Sequence, residues 1–258
     1  MRNIAIVTGA SSGLGREFIK LIDAGEAGRI DEIWAIARRA DRLEALKRTT
    51  VLPVRTFSLD LCDMSSCDTI EQALNEDGSR KVSLLINNAG FGTFGDFRVQ
   101  GQDNASRMMR LLMQAPVELT YRALPFMVAG SRIINTASVA AFIPQPQLAV
   151  YSTCKRFILD FSRALGVELE GTGITVTALC PKFMHTEFLA QAGDSDAANR
   201  MCRIGFESAE RVAKKAIAAA NTGRELCIPS LDMKALYVAA KLLPYRTVIA
   251  AERIIGVI

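Results

Sequence analysis

Seven short runs of β-branched and aliphatic residues, separated by stretches of helical length, constrain this chain more than any other feature of its sequence. They fall near Asn3–Val7, Glu32–Ala37, Val51–Ser58, Val82–Ile86, Arg132–Thr136, Ile174–Leu179 and Glu225–Ile228. Nearly continuous Val, Ile and Leu suits strands buried on both faces, and strands alternating with helices predict a doubly wound α/β fold with a seven-stranded parallel sheet and right-handed crossovers. Ligands of such sheets sit at the carboxyl ends of the strands. The glycine loop after the first run, Asn87, Ser138 and Pro181 all fall there. No Pro/Gly/Ser-rich linker or repeat divides the chain, so residues 1–258 are expected to form one domain.

The first run, Ile4 to Val7, leads into Thr8-Gly9-Ala10-Ser11-Ser12-Gly13-Leu14-Gly15. Strand, glycine turn and helix start together predict a site for a pyrophosphate, because glycine allows close backbone approach and the N–H groups that open a helix favour an anion. A plain tight turn is the alternative. Gly9-Ala10-Ser11-Ser12-Gly13 also satisfies the nucleophile-elbow pattern of serine hydrolases, which would require His185, the only histidine, as its base.

Tyr151 and Lys155 stand four residues apart, so a helix starting near Val150 puts phenol and ammonium on one side. A nearby cation favours phenolate, so Lys155 is expected to lower the Tyr151 pKa. Ser138, thirteen residues before Tyr151, follows a strand and has the chemistry to hydrogen-bond the oxygen that the tyrosine protonates. The three residues describe carbonyl reduction or alcohol oxidation.

Taken together, these motifs resemble the short-chain dehydrogenase/reductase family over nearly the whole chain. TGASSGLG resembles its cofactor loop, Asn87-Asn88-Ala89-Gly90 its NNAG segment, Ser138 with Tyr151 and Lys155 its catalytic core, and Pro181 followed by Thr186 its nicotinamide-side loop. The resemblance implies a Rossmann-type fold, a nicotinamide cofactor and hydride transfer. It assigns catalysis to Ser138, Tyr151 and Lys155. Cofactor contacts are implied at Gly9, Ser11, Ser12, Gly13, Leu14, Gly15, Asn87, Ala89, Gly90, Tyr151, Lys155, Pro181 and Thr186. Asp60-Leu61 resembles the position that binds the adenine edge. Where NAD-dependent members carry an acid after the second strand, this chain has Arg38-Arg39, which suits the 2′-phosphate of NADP(H). The alternative is a solvated pair opening a helix.

Two positions depart from the family's pattern. Leu112 stands where many members have a helix-kinking asparagine of a proton relay, so the relay would need Gln114 or a backbone carbonyl instead. Lys182 replaces a glycine after Pro181. These departures leave open a cofactor-binding sensor or scaffold with weak or no turnover. Phe91, Phe94, Phe97, Phe142, Phe183, Met184 and Phe188 predict an apolar pocket for a lipophilic ketone or secondary alcohol, a hydroxysteroid among the candidates. Packing within a lid is the other use of such side chains.

A net charge of +4 with scattered basic residues speaks against nucleic-acid binding. The six cysteines lack metal-ligand spacing and are expected to be reduced. No long apolar segment precedes the glycine loop, so the cytoplasm is the expected compartment. Pro144, Gln145, Pro146 and Gln147 interrupt the uncharged stretch from Ile133 to Cys154 and exclude it as a membrane helix. Asp232–Leu243 predicts an amphipathic helix, broken by Pro244 before an apolar stretch that ends at Ile258. This tail has three possible uses: packing on its own core, covering a partner subunit or lying on a membrane surface. The resemblance implies a homodimer or homotetramer built on the helices near Asn104–Met127 and Val150–Glu170.

Overall fold

All seven runs become strands of one parallel sheet. The computed structural model describes residues 1–190, 200 and 202–256. Strands β1 (Arg2–Thr8), β2 (Glu32–Ala37), β3 (Val54–Ser58), β4 (Arg80–Asn87), β5 (Arg132–Thr136), β6 (Thr175–Leu179) and β7 (Leu226–Cys227) lie in the order β3-β2-β1-β4-β5-β6-β7. Every neighbouring pair is parallel. The order reverses between β1 and β4, which puts the switch point of the sheet at the carboxyl ends of those two strands.

Period-two alternation assigns the faces. Ala5 and Val7 of β1 pack with Phe18 and Ile19 of α1 (Gly13–Asp23), while Ile4 and Ile6 pack with Ile70 and Leu74 of α3 (Ser65–Asn75). Between these, α2 (Ala40–Thr49) joins β2 to β3. Strand ends shift where backbone donors are spent elsewhere. The sheet takes Val54 rather than Val51 as the start of β3, because the Val51 and Leu52 N–H groups donate to the Asp23 carboxylate at 2.8–3.0 Å. Likewise the Ile174 N–H donates to Thr172 Oγ1 at 3.1 Å, and β6 begins one residue later.

The long helix expected near Asn104–Met127 has three parts, α4 (Gln102–Met109), a wide π-turn over Arg110–Gln114, and α5 (Ala115–Ala123). Pro116 has no N–H to offer the carbonyl of Leu112 four residues back, which is sufficient cause for the wide turn. The bend therefore forms without an asparagine. Helix α6 (Ala149–Glu168) follows β5 and carries Tyr151 and Lys155 in its first two turns.

Beyond the short α7 (Glu187–Ala190) come α8 (Ala209–Asn221), α9 (Leu231–Leu242) and α10 (Tyr245–Ile254), with Pro244 at the break before α10. The tail packs on its own chain through Met233 and Val248, while Leu242 and Ile254 stay exposed. Its final residues, Val257 and Ile258, lie outside the described residues.

One contact fixes how α1 leaves β1. A Cβ on Gly15 would lie 2.2 Å from the Gly9 carbonyl oxygen. Gly15→Ala is expected to cost about 1–3 kcal/mol through overpacking, read as a lower midpoint of denaturant unfolding. An unchanged midpoint would mean that the start of α1 shifts freely.

Candidate active site

A cleft of about 350 Å³ runs along the carboxyl ends of the strands. Its first half is built on the loops after β1 and β4. Gly9 has φ +70°, and a Cβ there would come within 2.9 Å of Asn88 Nδ2, so only glycine lets the two loops meet. Thr8 Oγ1 holds them together by accepting from the N–H groups of Asn88 and Ala89 at 2.8 and 2.9 Å. Ser12 precedes α1 in extended conformation and makes no side-chain cap. The first turn of that helix keeps the donors and the dipole that favour an anion.

Arg39 crosses from the end of β2 to this loop. Its Nη2 donates to Ser11 Oγ and Ser12 Oγ at 3.0 and 2.9 Å, and its Nη1 to Glu187 Oε2 at 2.6 Å. Arg42 joins the same carboxylate, and these hydrogen bonds hold Glu187 down to about 2. Arg38 is exposed at the mouth. Asp60 lines the cleft with Leu61 while its carboxylate accepts from the Cys62 N–H at 3.0 Å and from Arg107 at 2.9 Å.

Among the residues expected at the cofactor, Gly15 and Asn87 do not line the cleft. Asn87 is the last residue of β4 and turns inward, where its Nδ2 donates to Asn135 Oδ1 at 2.8 Å and Thr120 Oγ1 at 3.1 Å. Asn88 lines the cleft in its place. Strand alternation alone would have found the exchange. Thr136 also lines the cleft, unforeseen from sequence, and its Oγ1 is buried without a partner.

The second half holds Ser138, Tyr151 and Lys155. Ser138 follows β5, its Oγ accepts from the Ala140 N–H at 3.2 Å, and the next N–H, of Val139, donates to the Pro181 carbonyl at 3.1 Å. The β5 and β6 loops are thereby joined. Lys155 Nζ lies 5.7 Å from the centre of the Tyr151 ring and donates to the Thr136 carbonyl at 2.6 Å. A backbone carbonyl therefore holds the ammonium, whereas Gln114 faces solvent. Leu112 is buried in the cluster that includes Tyr151, and its Cδ2 would lie 2.8 Å from a Cβ on Gly90.

The expected fall in the Tyr151 pKa does not occur. Burial pushes the phenol up to about 12, with Ser138 pulling the other way, and burial also pushes Lys155 down to about 8. Desolvation dominates both shifts because both groups are enclosed.

The far end of the cleft is mainly apolar. Phe91, Phe183, Met184 and Phe188 line it as expected, together with Leu148, Ile204 and Leu236. Phe94 is buried behind it, Phe97 is exposed, and Phe142 packs edge-on against Tyr237 at 5.0 Å. Lys182 does not reach into the space as a free cation, since its Nζ pairs with Asp232 at 2.7 Å. The hydrolase arrangement is absent among the described residues. Ser11 accepts from Arg39, the His185 ring stacks on Phe206 at 3.7 Å, and no hydrogen bond joins Ser11 to His185.

A model of the short chain dehydrogenase family matches residues 3–197. The chain belongs to that family. It is 34% identical over 210 residues to a sulfoacetaldehyde reductase of Chromohalobacter salexigens, covering 77% of this chain and 79% of the relative. A short-chain dehydrogenase from Sphingobium yanoikuyae in complex with NADPH superimposes with a TM-score of 0.78 at 25% identity, covering 97% and 95% of the two chains. A family member from Burkholderia phymatum in complex with NAD gives 0.78 at 22% identity, covering 92% of each, and shows the fold alone. As a short-chain dehydrogenase the protein is an oxidoreductase of CH–OH groups and the corresponding carbonyls. No described helix is long and apolar enough to cross a membrane, and no cluster of metal-ligating side chains occurs among the described residues.

The burial of Tyr151 sets a spectroscopic expectation. In the cofactor-free protein, the tyrosinate absorbance of wild type minus Tyr151→Phe should show no ionisation of Tyr151 below its ordinary pKa of 10. Ionisation near neutrality would show that Lys155 dominates after all.

Proposed function

We propose that this short-chain dehydrogenase reduces a lipophilic ketone with NADPH, using Tyr151 as the proton donor. The observation that carries the reading is the convergence of Ser138, Tyr151 and Lys155 on one wall of a cleft whose other half is a glycine cradle beside Arg39. The residues fit a nicotinamide dinucleotide. Gly9 and the uncapped start of α1 leave room and donors for a pyrophosphate. When bound, the cofactor supplies the hydride.

The rest is work for the chain's own side chains. Ser138 donates to the carbonyl oxygen and keeps donating as negative charge builds there. Tyr151 gives that oxygen its proton. At neutral pH the phenol is protonated, the form that donates to a carbonyl oxygen. Lys155, held by the Thr136 carbonyl, remains largely charged at neutral pH and stabilises the tyrosinate left behind. Because Lys155 titrates at about 8, the rate of reduction should hold level to that pH and fall above it as the ammonium is lost. A profile with no break near 8 would remove Lys155 from the step.

NADPH preference is supported by the absence of an acid after β2 and by Arg39, whose guanidinium already holds a carboxylate beside Ser11 and Ser12. A 2′-phosphate offers that fork a stronger paired contact. Lipophilic specificity is supported by the apolar far end, and among the described residues there a sulfonate like that of the Chromohalobacter relative's named substrate meets Lys182 alone as a cation, already paired with Asp232.

Fluorescence titration with NADPH and NADH, followed by turnover on a panel of bulky ketones, tests the proposal. Arg39→Ala should weaken NADPH about tenfold to a hundredfold and NADH much less. Tyr151→Phe should bind NADPH normally and lose about 10²–10⁴ in kcat. Equal binding of both nucleotides, or turnover surviving in Tyr151→Phe, would contradict it.

A further inference from the structure

One polar pair interrupts the apolar end of the cleft, and its members come from opposite sides. Gln145 stands in the loop between Ser138 and Tyr151, and Glu252 stands on α10; both line the cleft. Gln145 Nε2 donates to the two Glu252 carboxylate oxygens at 3.0 and 3.3 Å. Glu252 is only 8% exposed, and among the described residues no cation pairs with it. Burial raises its pKa while the Gln145 amide works against that rise.

Gln145 is itself fixed. Its N–H donates to Ser152 Oγ at 3.3 Å and its carbonyl accepts from the Leu148 N–H at 3.2 Å, which ties it to the helix that carries Tyr151. On the other side α10 is seated by the buried Val248 and preceded by α9, whose Leu236 also faces the cleft. A carboxylate has room for about four hydrogen bonds, and among the described residues one amide group is its partner, which leaves most of that capacity unused. Burying such a group without a countercharge is costly, and the cost falls when a ligand brings a donor.

We propose that Glu252, held by Gln145, recognises a hydrogen-bond donor on the substrate, a hydroxyl or an ammonium remote from the reacting carbonyl, and turns away carboxylates and sulfonates. The inference rests on the reductase reading and sharpens it: the substrate is a bulky apolar ketone with one polar end of defined sense. Glu252 is a specificity residue, and the proton and hydride steps do not involve it.

The test uses four ketones that differ only at the remote end, which carries a hydroxyl, an amine, a methyl ether or a carboxylate. Wild type should favour the hydroxyl or the amine over the methyl ether by about tenfold or more in kcat/KM, and should use the carboxylate worst of all. Glu252→Leu should bring the donor-to-ether ratio close to one. Glu252→Gln keeps an acceptor and should retain the hydroxyl preference while admitting the carboxylate. An unchanged ratio in Glu252→Leu overturns the proposal, as does an equal loss on all four ketones in both variants, which would make the pair a structural latch only. If wild type turns over none of the four with NADPH, the reductase reading fails by itself. Thermal shift with the same compounds then decides the site: stabilisation by the hydroxyl or amine compound that Glu252→Leu abolishes supports it, and equal shifts in both proteins overturn it.

Discussion

A buried chain of hydrogen bonds, from Thr120 through Asn87 and Asn135 to Ser162, sets the geometry on which the cleft depends. Asn87 Nδ2 reaches Thr120 on α5 and Asn135 on β5, and Asn135 Nδ2 donates to Ser162 Oγ on α6 at 3.0 Å. Ser162 in turn donates to the Ile158 carbonyl at 2.6 Å. Buried amides left unpaired are expensive, so this chain specifies the register of β4 on β5 and the seat of α6 together. Tyr151 and Lys155 ride on α6. Their place relative to the glycine cradle, which is tied to β4 through Thr8, follows from contacts that never touch a ligand.

Enclosure then governs the chemistry. Tyr151 and Lys155 share one apolar cluster with Leu112 and Cys154, or lie against it, and the low-dielectric surroundings push both toward their neutral forms. The Thr136 carbonyl compensates the ammonium directly. Leu112 is buried behind the wall of the cleft and against Gly90, and the π-turn ahead of Pro116 bends the helix there. A phenol kept protonated beside a retained cation is well matched to giving a proton to a developing alkoxide.

The strands were legible in the sequence because burial on both faces leaves long apolar runs, and only their ends moved, where Asp23 and Thr172 capture backbone donors. That the glycine loop and Arg39 share one half of the cleft was legible because glycine spacing and arginine placement are local. Asn87 was misassigned although strand alternation carried the signal: it is the last residue of β4 and faces inward, and the cradle side belongs to Asn88. The direction of the Tyr151 shift was not legible, since desolvation depends on everything packed around the ring rather than on the lysine one turn away. Gln145 and Glu252 meet across 107 residues of sequence, a pairing that no motif spacing encodes.

In the proposed reaction the cleft passes a hydride to a carbonyl carbon while Tyr151 protonates the oxygen. That reaction is tested most directly by reducing a responsive ketone with NADPH deuterated at the nicotinamide C4 position and locating the label in the product. Deuterium on the carbinol carbon, with the hydroxyl proton drawn from solvent and the transfer lost in Tyr151→Phe, is the predicted result. Product without the label on that carbon, or label transfer that persists undiminished in Tyr151→Phe, would contradict it.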